Sequence, residues 1–68
     1  MIGLTKREYE IAAGVALGKL NKQIAADLSI SEQTVKNHIT QILLKTGLLN
    51  RVQIATTYYY LLNAGSGI

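Results

Sequence analysis

The sequence predicts an all-α fold, a four-helix bundle that contains a helix-turn-helix and ends in a dimerisation helix. Three observations predict it. Residues 21–46 carry apolar positions at helical spacing on either side of a short Ser29-Ile30-Ser31 break. Capping residues stand before the apolar stretches, and glycines close two of them. The last stretch, residues 51–63, carries more apolar surface than a single core contact needs.

The first helix opens at Leu4-Thr5-Lys6-Arg7-Glu8-Tyr9. Thr5 can accept from the backbone NH of Glu8 while Glu8 reaches back to Thr5, a capping box with Leu4 and Tyr9 placed to staple it. The helix runs to about Leu17, burying Ile11, Ala12, Val15 and Ala16, and Gly18 is the left-handed stop. Gly14 inside it costs roughly 1 kcal/mol against Ala, so either another helix crosses closely there, the favoured reading, or the helix is weak.

Asn21 is expected to cap the second helix, whose inward face is Ile24, Ala25 and Leu28. Ile30 plugs the turn, and Ser31 caps a third helix over about residues 32–46. That helix buries Val35, Ile39, Ile42 and Leu43 on one stripe and turns Gln33, Lys36, Asn37 and Thr40 the other way. Gly47 ends it. Asn50 can cap a fourth helix from Arg51 to about Asn63, so the domain is expected to span residues 1–63, with 64–68 a flexible tail. On the fourth helix Val52, Ala55, Tyr59 and Leu62 form one stripe, assigned to the core. Ile54, Tyr58 and Leu61 form a second, which is expected at a homodimer interface or, alternatively, packs on the first helix or on a further domain.

Sixty-eight residues make one domain near the lower size limit for a core without staples. With no Cys, one His and four scattered carboxylates, the sequence offers no metal cluster and no nucleophile paired with a base. No enzyme activity, cofactor or small-molecule ligand is expected. No apolar run approaches the ~20 residues of a membrane span, and no signal core follows the N-terminus, so a cytoplasmic protein without membrane contact is expected. A formal charge of +3 favours a polyanionic partner. Lys22, Lys36 and Lys45 lie in or beside the helix-turn-helix, and its polar outward face has the shape of a helix that enters a DNA major groove.

The chain resembles the LuxR-type helix-turn-helix domain shared by GerE-like, FixJ-like and NarL-like regulators. The likeness is carried by Leu4-Thr5, Arg7-Glu8, Gly18, Asn21, Ile24-Ala25, Leu28, Ile30-Ser31, Thr34-Val35-Lys36, His38, Ile42, Lys45, Gly47, Asn50-Arg51 and Ala55. It implies sequence-specific binding of double-stranded DNA by a bacterial-type transcription regulator, as a homodimer on two half-sites. By the same resemblance Lys36, Asn37 and Thr40 face base edges, while Gln33, Thr34, Lys45 and Lys22 meet phosphates. It further implies a structural ion pair between Glu8 and Arg51, and hints at a phosphate contact for His38.

The chemistry suits these roles. Lys can donate to guanine O6 and N7, Asn can pair with adenine N6 and N7, and Thr can offer a hydroxyl to a base or a methyl to thymine. Thr40 and Leu44 depart from the family pattern, standing where basic residues are common. Leu20 and Ser29 depart too, the first in place of a polar cap and the second at a left-handed turn position that favours Gly or Asn. Tyr58-Tyr59-Tyr60 point in three directions and cannot form one stacking platform. Two other readings compete: a sigma-factor region-4-like promoter reader tethered to RNA polymerase, and a helical protein-interaction module that binds no DNA.

Overall fold

The computed structural model describes Met1 and residues 3–64. Among them there are four helices and no strand: α1 (Lys6–Ala16), α2 (Asn21–Leu28), α3 (Glu32–Thr46) and α4 (Arg51–Ala64). The starts of α1, α3 and α4 are each set by a local hydrogen bond. Thr5 Oγ1 accepts from Glu8 N at 3.1 Å and Glu8 Oε1 from Thr5 N at 2.8 Å, closing the capping box. Ser31 Oγ accepts from Thr34 N at 3.0 Å, and Asn50 Oδ1 from Gln53 N at 3.0 Å.

The helix ends follow the same logic. Gly18 takes φ +78°, and Lys19 N bonds back to Gly14 O at 3.1 Å. Ser29 adopts φ 57° at the end of α2, the one non-glycine residue with positive φ among those described, and Ile30 N reaches Ala25 O at 3.0 Å. The left-handed position is therefore real, and a serine fills it.

The start of α2 differs from expectation. Asn21 is the first helical residue and Leu20 occupies the cap, which has no side-chain acceptor to offer. Gln23 Oε1 instead accepts from Leu20 N at 2.8 Å, satisfying one of the free donors from inside the helix. Asn21 is engaged elsewhere, as described below.

The core joins all four helices: Ile11, Ala12 and Val15 from α1, Ile24 and Ala25 from α2, Val35 and Ile42 from α3, and Ile54 from α4. Helix α1 is the centre of the bundle and packs on the other three. At its crossing with α2, a Cβ on Gly14 would lie 2.9 Å from Ile24 Cγ1, so the glycine is there for close approach.

Helix α4 corrects the assignment of its stripes. Ile54, expected at a dimer face, is fully buried in the core of the single chain, while Val52, expected inside, is 69% exposed. The inward face runs through Ile54, Ala55 and Tyr58, and the open row is Val52, Thr56, Tyr59, Tyr60 and Asn63. Ala64, expected to begin the tail, is the last residue of α4, and the remainder of that tail, 65–68, lies outside the described residues.

Candidate nucleic-acid interface

Helices α2 and α3 pack on each other through Ala25, Leu28, Ile30 and Val35, which leaves the far side of α3 uncovered. Gln33, Lys36, Asn37 and Thr40 are all exposed on that side, opposite the buried Val35 and Ile42. A helical wheel at about 100° per residue puts Gln33, Asn37, Thr40 and Leu44 along its centre. Lys36 stands on one flank, and Thr34, His38 and Lys45 on the other. The result is a convex ridge, polar from Gln33 to Thr40 and apolar at Leu44, with a cation on each side.

The side chains of the ridge are partly organised by one another. Gln33 Nε2 donates to Asn37 Oδ1 at 2.9 Å, so the two carboxamides form a joined pair. Thr40 Oγ1 donates to the Lys36 carbonyl at 3.1 Å. Thr34, half-buried, exchanges a 2.8 Å hydrogen bond with the Ser31 hydroxyl at the N-terminus of α3. Backbone NH groups there carry partial positive charge, which favours a phosphate.

The basic residues separate into free and committed. Lys22 and Lys36 are exposed and make no ion pair among the described residues. Lys19 pairs with Asp27. Lys45 is bound to Glu8: its Nζ lies 2.8 Å from Glu8 Oε1, with the carboxylate side chain only 5% exposed. The Lys45 hydrogen bond, followed by that from the Thr5 amide, holds the Glu8 carboxyl below the usual carboxylate range despite its burial.

The family resemblance implies a different partner for this acid. Arg51 does not pair with Glu8; its Nη1 donates to Asn21 Oδ1 at 2.6 Å and its Nη2 to the Lys19 carbonyl at 2.9 Å. The planar guanidinium can bridge two acceptors in a fixed fork, and it ties the start of α4 to the start of α2. Glu8 and Arg51 are both scaffold residues, as expected, but in separate contacts.

Residues 3–58 match the model of the GerE family, described as bacterial regulatory proteins, luxR family. The chain belongs to the LuxR family of bacterial regulatory proteins. The LuxR-family match covers all of α1, α2 and α3 and more than half of α4.

The chain is 52% identical over 52 residues to the transcriptional regulatory protein LiaR of Bacillus subtilis, which covers 76% of this chain and 25% of that protein. With the nitrate/nitrite response regulator protein NarP of Escherichia coli it shares 46% over 63 residues, 93% of this chain and 28% of NarP. The spore germination protein GerE of Bacillus subtilis is 46% identical over 50 residues, 74% of this chain and 68% of GerE. The chain thus spans about a quarter of the larger regulators it matches. LuxR-family membership makes this a helix-turn-helix domain of DNA-binding transcription regulators, not an enzyme. Among the described residues no helix is long and apolar enough to cross a membrane.

Two features of the site escaped the sequence reading. The Glu8–Lys45 pair joins residues 37 positions apart, and no local pattern signals it. Leu44, which the family pattern marks only as a missing cation, stands on the ridge itself, 71% exposed.

Proposed function

We infer that this domain binds specific double-stranded DNA with α3 in the major groove. One observation carries the reading: Gln33, Lys36, Asn37 and Thr40 form a solvent-open polar face on a helix whose opposite face is buried. Lys36, Asn37 and Thr40 are the base-facing residues, with Lys36 suited to guanine O6 and N7 and the Asn37 carboxamide to adenine. Gln33, Thr34 and Lys22 are assigned to phosphates. Lys45 joins them only in competition with Glu8.

Two copies acting on two half-sites would place a reading helix in successive turns of the major groove. The pairing surface is assigned to the open row of α4, Val52 with Tyr59 and Tyr60, extended by the partly exposed Tyr58 and Leu61. Ile54 takes no part in it.

The test is titration of a duplex enriched from a random library, beside an unrelated duplex. Lys36→Ala and Asn37→Ala are expected to weaken the enriched duplex by ~1 to 3 kcal/mol each with helicity unchanged. Equal losses on both duplexes would remove these residues from base reading.

A further inference from the structure

The outward row of α3 changes character along its length. Gln33, Asn37, Thr40 and Leu44 follow the i, i+4, i+7, i+11 spacing that keeps side chains on one helix face, and all are exposed. The first two present carboxamides. The last is a leucine with 71% of its surface open, although the inner flank of the same helix holds Ile39 and Leu43 against the core. Thr40 stands between them. Its hydroxyl donates to the Lys36 carbonyl at 3.1 Å, the back-bond of a helical threonine. With that proton engaged by the helix's own backbone, Thr40 has no donor left for a base and keeps the γ-methyl beside the acceptor lone pairs of its oxygen. The one basic residue in the last turn, Lys45, leans to the flank and is held by Glu8.

Along the axis Thr40 and Leu44 are about 6 Å apart at 1.5 Å per residue. That is less than two base-pair steps of about 3.4 Å. The major-groove edges of the bases offer one apolar group, the C5-methyl of thymine; elsewhere they present donors and acceptors. A leucine pressed on those donors or acceptors strips their water and returns no hydrogen bond. Pressed on a thymine methyl, it removes apolar surface from water on both sides.

We propose that Thr40 and Leu44 read thymine methyl groups, so that the C-terminal half of α3 selects thymines on neighbouring base pairs. The proposal rests on α3 being the base-contacting helix and names what its second half selects.

Deoxyuridine tests this directly, because it deletes the C5-methyl and leaves every hydrogen-bonding group of the base in place. In the duplex enriched from a random library, each thymine is replaced singly and titrated with the whole chain. Two replacements are expected to weaken binding about fourfold each, the worth of one buried methyl group. Leu44→Ala should abolish the effect at one of these thymines, and Thr40→Ser, which keeps the back-bonding hydroxyl, at the other. Both positions are exposed, so circular dichroism should show helicity retained. Equal affinity for thymine and uracil at every position, or undiminished discrimination in both variants, overturns the proposal. Lys36→Ala separates the two levels: a loss on the enriched duplex without any uracil effect leaves base reading standing while the methyl reading falls. A library that yields no enriched duplex overturns both.

Discussion

The ammonium of Lys45 lies 2.8 Å from the buried carboxylate of Glu8, joining the last turn of α3 to the first turn of α1. The same carboxylate oxygen accepts from the Thr5 amide at 2.8 Å, so one group caps a helix and anchors the reading helix to the centre of the bundle. Both contacts favour the ionised acid over the neutral one.

The first prediction is a pH dependence of stability. The native acid is stronger than the unfolded one, so its contribution is complete above the unfolded value, ~4.3, and is lost as pH falls through the lower native value. Thermal melts of wild type and Glu8→Gln should differ by a constant gap from neutral pH to about 5, then converge below about 4. A gap that widens on acidification would contradict the linkage.

A second prediction uses the same substitution on DNA. Glu8→Gln releases the ammonium of Lys45, which adds one free cation at the flank of α3. The slope of log K against log salt should steepen by about 0.9. If the slope stays as in wild type, Lys45 meets no phosphate and leaves the contact list.

Gly14 faces Ile24, itself 2% exposed, with no room for a methyl group between them. Gly14→Ala gains up to about 1 kcal/mol of helix propensity but overpacks the crossing at a cost of about 1 to 3 kcal/mol. A net loss of about 1 kcal/mol is expected in urea denaturation. Ile24→Ala should then cost less in that background than in wild type; additive losses would show that the two sites do not touch.

Ser29 sits at φ 57°, where a side chain is strained and glycine is not. Ser29→Gly should stabilise the domain by about 0.5 to 1 kcal/mol, seen as a rise of several degrees in Tm. A fall in Tm would mean that the serine side chain contributes more than its backbone conformation costs.

On α4 the two assignments separate cleanly. Ile54→Ala should lose about 2 to 5 kcal/mol of folding stability, as expected for a fully buried residue. Val52→Asp should leave Tm nearly unchanged and abolish self-association in sedimentation. A wild type that stays monomeric at high concentration, or a Val52→Asp variant that still pairs, would rule this row out as the interface.

What the sequence made legible was what neighbours decide. The caps at Thr5, Ser31 and Asn50 each need a donor three residues on, and the stops at Gly18 and Gly47 need only a positive φ, so short patterns reveal them. The open face of α3 was legible for a similar reason, because Val35, Ile39 and Ile42 fix which side is inward. Helix α4 gave no such direction: apolar residues surround it, and only the packing of α1 shows that Ile54 and not Val52 faces the core. Long-range polar partners were illegible as well. Glu8 had two cations within reach of a plausible fold, and the choice of Lys45 over Arg51 depends on where α3 ends against α1.

Arg51 leaves the reading unit mechanically dependent on the C-terminal helix. The entrance of α2 has a leucine where a hydroxyl would normally lock it, and the guanidinium from across the bundle grips the residues on either side of that entrance. A strut of this kind transmits load: a tug on α4 arrives, without any intervening loop, at the doorway of the helix-turn-helix. Substituting Arg51 alone, with the rest of α4 in place, would therefore loosen a segment 30 positions upstream in the chain.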